Sequence, residues 1–368
     1  MKDNLIFEPF NLAGLALKNR IVMAPMTRSR SDNPGNVATE LTALYYKQRA
    51  SAGLIITEGT YISRDAAGYI NVPGIYTDEQ IAGWKLVTEA VHEQGGKIFA
   101  QLWHVGRLSH PDLLGGKLPL APSALNPKIQ AYTPEGFKDT VEAREMTLED
   151  IRKTILDFKQ AAINAMAAGF DGVELHAANG YLLHQFFNLY SNTRQDAYGG
   201  TIEKRARILF DVLNELRTVI DISKVGVRLN PSLHGAQGMM LDEKSIAVHD
   251  YIVGKLNDYD LAYLHLTEPF TDVSGNDFAV QEVAKHFRPL YDGTLIINRG
   301  FNKQTANKVL EDGDADLVAF GVPFIANPDL VERFKADAPL NQPDPSTFYT
   351  PGEKGYTDYP SIHQLKTA

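Results

Sequence analysis

The chain has 368 residues, 44% of them hydrophobic, with 36 Lys and Arg against 45 Asp and Glu and no cysteine. That length makes one large domain or two modest ones, and without a thiol it has no disulfide, thiolate metal site, iron–sulfur cluster or cysteine nucleophile. The formal net charge of −9, with no Lys/Arg-rich block, argues against nucleic-acid or anionic-membrane binding, which depends on matching phosphate charge with basic residues, and leaves small molecules as the expected partners.

The N-terminal MKDNLIFEPFNLAG has no basic start followed by an apolar run. No apolar run nears the roughly 18 residues that span a bilayer, so the expectation is a cytoplasmic protein. Short β-branched or apolar runs then recur, each followed by a polar turn and a segment of helical spacing. Eight read as strands: 20–24, 54–58, 97–103, 172–176, 225–230, 262–266, 295–298 and 316–320. Several are nearly all apolar, as in Gly53-Leu54-Ile55-Ile56-Thr57, the pattern of parallel strands covered by helices. The clearest helix is 147–168, with Thr147 as N-cap, Asp150 three residues on, and Gly169 as the stop.

Eight β/α units without a Ser/Gly linker predict an α/β fold, a (β/α)8 TIM barrel forming one domain over 1–368. Two additions are expected. Residues before Arg20 would form a hairpin closing the barrel's bottom, and a Pro- and Tyr-rich excursion of about 108–144 would follow strand three. The rival is a doubly wound sheet, but no GxGxxG follows a strand and no GxxxxGK[ST] occurs.

Barrel chemistry sits at the C-terminal ends of the strands. There the chain carries Ala24-Pro25-Met26-Thr27-Arg28, Glu58-Gly59, Gln101-Leu102-Trp103-His104, the stretch from His176 to Tyr181, Arg228-Leu229-Asn230, Asn298-Arg299-Gly300, and Gly321. Glycines after strands seven and eight suit the approach of a phosphate to the backbone. His176 and Asn179, three apart just beyond a strand, can converge as two donors on one oxygen, with Tyr181 bringing a proton from the other side. The alternative is a hydrogen-bonded strand-end histidine and a tyrosine packing on Phe186. Arg228 in a buried strand would be costly without an anionic partner.

Four segments together resemble the Old Yellow Enzyme family of FMN-dependent ene-reductases, in particular its bacterial N-ethylmaleimide reductase and xenobiotic reductase branch. They are Asn19-Arg20-Ile21-Val22-Met23-Ala24-Pro25-Met26-Thr27-Arg28, Gln101-Leu102-Trp103-His104-Val105-Gly106-Arg107, the run DGVELHAANGYLLHQFFNLYSNTRQDAYGG from Asp171 to Gly200, and Pro323-Phe324-Ile325-Ala326-Asn327-Pro328-Asp329-Leu330. The resemblance implies a TIM barrel with tightly bound, non-covalent FMN, reduced by NADPH and passing hydride to an activated alkene in a ping-pong cycle. It implies that Ala24, Pro25 and Thr27 meet the flavin, with Thr27 donating to O4, that Gly59 and Gln101 line the pyrimidine side, and that Arg228 lies near N1 and O2. His176 and Asn179 would bind the substrate's carbonyl or nitro oxygen, Tyr181 would give the proton, and Trp103, Tyr69 and Tyr349 would wall the pocket. Enones, maleimides, nitrate esters and nitro compounds are the implied acceptors, and no motif sets a monomer or a homo-oligomer.

The chain departs from that pattern twice. Many relatives carry a second histidine at the place of Asn179, where either residue can donate. Relatives also read Gly-Arg where this chain has Gly321-Val322, which removes the arginine that meets the FMN phosphate. Arg299, at the end of the neighbouring strand and followed by Gly300, is the expected replacement. Otherwise Arg299 points to solvent or pairs with an acid, and backbone N–H groups hold the phosphate alone. Two readings of another kind stand beside the reductase: a flavin-free phosphate-binding aldolase or isomerase, which would want a catalytic lysine or carboxylate pair, and a non-catalytic FMN-binding module.

Overall fold

The computed structural model describes residues 4–365. Eight parallel strands close into one barrel in chain order: β1 Ile21–Met23, β2 Leu54–Tyr61, β3 Ile98–Trp103, β4 Gly172–His176, β5 Val225–Leu229, β6 Tyr263–Thr267, β7 Leu295–Asn298 and β8 Leu317–Phe320. β8 pairs back onto β1, Phe320 opposite Met23. Every residue of all eight strands is buried, because helices cover the outside while side chains fill the inside. The expected barrel is therefore the observed fold, with strand ends moved by a residue or so except in β2. There Glu58-Gly59 reads as the strand's end in sequence, whereas the strand runs on to Tyr61 across a register shift between Ile56 and Gly59.

One main helix follows each strand: α1 Glu40–Gln48, α2 Asp78–His92, α3 Leu148–Ala167, α4 Ile202–Leu216, α5 Ser245–Leu256, α6 Val283–Phe287, α7 Lys303–Glu311 and α8 Leu330–Lys335. In α3 the cap forms as expected. Thr147 accepts from the Asp150 N–H while the Asp150 side chain accepts from the Thr147 N–H, and Ile151, Ile155, Phe158 and Ala162 form the buried face.

The N-terminal hairpin also forms, Phe10–Leu12 antiparallel to Leu15–Leu17 around a turn with both Ala13 and Gly14 at positive φ. Its Leu12 and Leu17 pack with Val22, Leu54, Phe99, Tyr263 and Leu317, so it plugs the end of the barrel opposite the catalytic face. The 108–144 excursion is more ordered than its composition suggests: it holds a second hairpin, Gln130–Thr133 with Gly136–Asp139. No described helix is long and apolar enough to cross a membrane.

Candidate active site

Two cavities open at the C-terminal ends of the strands. The first, about 410 Å³, has a buried floor that includes Ala24 and Ala319 and a rim that includes Arg299, Gly300, Gly321 and Val322. The second, about 470 Å³, is lined by Tyr69, Tyr132, Phe137 and Tyr181 among others. Thr27 and Tyr349 line both, so the two meet at these side chains. The first cavity thus gathers seven of the expected residues: Ala24, Pro25, Thr27, Arg299, Gly300, Gly321 and Tyr349.

Gln101 and Arg228 sit deeper, on β3 and β5. The Gln101 amide donates to Glu174 at 2.8 Å, and the other oxygen of Glu174 accepts from His265 Nδ1, also at 2.8 Å. Burial opposes the charge on Glu174, but His265, Arg228 and Gln101 outweigh it and hold the carboxyl below its ordinary range. Burial lowers His265, which therefore stands as a neutral donor. With its N–H₂ committed to Glu174, Gln101 leaves its carbonyl oxygen as an acceptor. Arg228 reaches only neutral oxygens, Asn298 Oδ1 at 3.2 Å and Thr267 Oγ1 at 3.5 Å, and its buried Nε has no partner. A buried guanidinium in that state suits the electron-rich edge of a flavin, so the donor set fits FMN.

Gly59 lies, like Gln101 and Arg228, outside the lining of both cavities, and a Cβ there would lie 2.3 Å from Trp103 Cε3. The glycine thus makes room for the indole. Trp103 in turn stacks on Tyr69 and on His176, and meets Tyr181 edge-on with centroids 4.7 Å apart.

His176 is not the hydrogen-bonded strand-end histidine of the alternative reading. It is 95% buried, its side chain makes no hydrogen bond among the described residues, and Nδ1 is left bare. Burial, aided by repulsion from Arg228, drives its pKa well below the ordinary histidine value, so the ring is a neutral donor. Tyr181 does cap a short helix, Leu182–Phe187, but its ring meets His176 at 4.8 Å and Trp103, and its hydroxyl lies 3.3 Å from that of Tyr69. Burial and Tyr69 hold the phenol well above its ordinary pKa, so it keeps its proton.

Asn179 has φ +55, the left-handed turn that swings its side chain back over the barrel, and its Oδ1 accepts from Asn230 Nδ2 at 2.9 Å. Its own N–H₂ is left to donate. Asn230 and Asn298 stood among the strand-end residues without a role, and Glu174 had none either, because a polar residue in or just after a strand gives no sign in sequence of which neighbour it will face. The second hairpin's exposed Tyr132 and Phe137, rings 4.9 Å apart, were missed because composition reads that stretch as loop.

This barrel and site define a flavin oxidoreductase. The NADH:flavin oxidoreductase / NADH oxidase family profile matches residues 5–341, and the chain belongs to that family. It is 41% identical to the putative 12-oxophytodienoate reductase 5 of Oryza sativa subsp. japonica, over 98% of this chain and 96% of the relative. It is 40% identical to a probable flavin mononucleotide-dependent alkene reductase of Leishmania infantum, over 97% of each. Among solved structures, morphinone reductase superposes with a TM-score of 0.92 at 45% identity, covering 99% of this chain and 98% of that one. The old yellow enzyme homologue of Zymomonas mobilis superposes at 0.91 with 41% identity, covering 96% and 99%. The protein is accordingly an NAD(P)H-dependent, FMN-dependent oxidoreductase of the ene-reductase kind, and the flavin-free aldolase and non-catalytic readings fall away.

Proposed function

We propose that this enzyme reduces the C=C bond of α,β-unsaturated carbonyls, enones and maleimides first, with nitrate esters and nitro compounds as further acceptors. The observation that carries the reading is a neutral His176 whose side chain makes no hydrogen bond, with the ring of a protonated Tyr181 4.8 Å from it; the Asn179 amide, its N–H₂ free, sits on the turn between them in sequence. His176 and Asn179 donate to the substrate oxygen and draw electron density toward it, which leaves the β-carbon electron-poor. FMN, when bound, supplies hydride chemistry to that carbon, recharged by NADPH. Tyr181 gives its proton to the α-carbon, and the Tyr69 hydroxyl beside it orients the phenol.

In the same reading Ala24, Pro25 and Thr27 meet the flavin, with Thr27 donating to it, while the Gln101 carbonyl accepts and Arg228 places its charge beside the ring. Trp103, Tyr69 and Tyr349 wall the substrate space. The whole chain works as one unit, since the segment carrying Tyr349 is held by Arg28 and Arg30 through the carbonyls of Thr347, Phe348 and Gly355. The test is anaerobic titration with NADPH followed by cyclohexenone, N-ethylmaleimide and a nitrate ester. Bleaching of the yellow colour and its return with the enone support the reading; colour that bleaches but does not return with any alkene refutes it.

A further inference from the structure

The first cavity is poor in charge. Among the described residues that line it, Arg299 alone carries a charged side chain. Arg299 makes no ion pair among those residues. Its guanidinium lies over the Phe270 ring, 4.4 Å from the centroid, and one Nη2 hydrogen is spent on the Phe270 carbonyl at 2.5 Å. Four of its five N–H donors are left. Arg299 is exposed, as one alternative weighed from sequence had it, but it meets no acid, and its head is tied to Phe270 and does not hang free. The Phe270 contact fixes the head at the rim.

The backbone adds an independent sign. Arg299 has φ +86, a region that L side chains adopt only at a cost and that clusters at ligand sites. Gly300 follows at φ +81, where a glycine is at ease. On the neighbouring loop Val322 is 51% exposed and has nothing to donate. The floor of the cavity is apolar and buried, whereas its rim is exposed and carries this one cation.

We propose that Arg299 is the phosphate ligand of this cavity, holding the phosphate monoester end of the flavin at the rim by charge-assisted hydrogen bonds. This rests on the reading that the cavity takes FMN, so the test separates the two. Apoprotein is titrated with FMN and, in parallel, with riboflavin, which shares the ring and lacks the phosphate, and binding is followed by quenching of flavin fluorescence. The parent chain binds FMN far more tightly than riboflavin. Arg299→Ala raises the FMN dissociation constant about 10- to 150-fold and leaves that of riboflavin unchanged. Arg299→Gln, which keeps a side chain over Phe270 and removes the charge, gives the same selective loss should the alanine variant fail to fold. A variant that keeps the parental FMN-to-riboflavin ratio overturns the assignment, as does an equal loss of both flavins, which would mean that Arg299 shapes the cavity. A parent chain that binds neither flavin overturns the underlying reading instead.

Discussion

At the scale of single residues, the division of labour between Tyr181 and its neighbours is open to measurement. Tyr181→Phe keeps the ring against Trp103 and His176 and removes only the proton, so cyclohexenone reduction is expected to slow by about 10²-fold or more while flavin reduction by NADPH stays near the parental rate. Stopped-flow of the two half-reactions separates them. On the proposed reading, His176→Ala removes one of two donors to the substrate oxygen and is expected to weaken binding of a phenol ligand by about 5- to 150-fold. Asn230 acts at one remove. Its hydrogen bond fixes which end of the Asn179 amide faces the substrate, so Asn230→Ala is expected to weaken phenol binding by about 2- to 12-fold in the parent and by nothing further in an Asn179→Ala background. Additive losses in that cycle would show that Asn230 does not work through Asn179.

At the scale of elements, the active site is enclosed by two segments that belong to no β/α unit. The second hairpin brings Tyr132 and Phe137 to the outer cavity, and the C-terminal segment brings Tyr349 to both cavities. The two are held differently. Arg28 and Arg30 grip the carbonyls of the C-terminal segment directly after the Thr27 strand end, so that segment is built into the barrel mouth. The hairpin's Tyr132 is 42% exposed and its Phe137 70% exposed, surface that a bulky substrate would cover. Replacing both by alanine is expected to raise KM for large aromatic enones by about 2- to 12-fold, with cyclohexenone kinetics and FMN retention unchanged. Equal effects on large and small substrates would place the hairpin outside the binding surface.

At the scale of the whole molecule, burial of histidine sets a pH dependence. His104, His176, His184, His249 and His265 are all buried with pKa values pushed below the ordinary histidine value by loss of solvent, His104 to about 3. The unfolded chain takes protons on these rings below about pH 6.5 while the folded one does not, so acid favours unfolding. Glu58 works the other way, since burial raises its carboxyl to about 7 and the folded state holds a proton the unfolded state has released. Glu268 does the same, its carboxyl also raised by burial, but two such groups against five leave the histidines in control. Thermal melts should show Tm flat near neutrality and falling as pH drops from about 6.5 to 5, with His184→Asn, away from the substrate oxygen, making the fall shallower. A Tm that holds constant over that window would contradict these assignments.

Fold class was legible in the chain because β/α alternation is a local pattern: each apolar strand, cap and stop acts within a few residues of itself. The strand-end positions of Thr27, Gln101, His176, Tyr181 and Arg228 followed from it, since a barrel puts its chemistry at one end of every strand. What those side chains face was decided by tertiary structure alone. Glu174 and His265 are 91 residues apart and meet inside the barrel, and Asn179 and Asn230 are 51 apart and meet beyond the ends of two paired strands. Gly59 makes room for Trp103, a contact between adjacent strands that no local signal carries. Periodicity tells a residue which way to point; only the closed barrel, bringing strands distant in sequence side by side, tells it what it will meet.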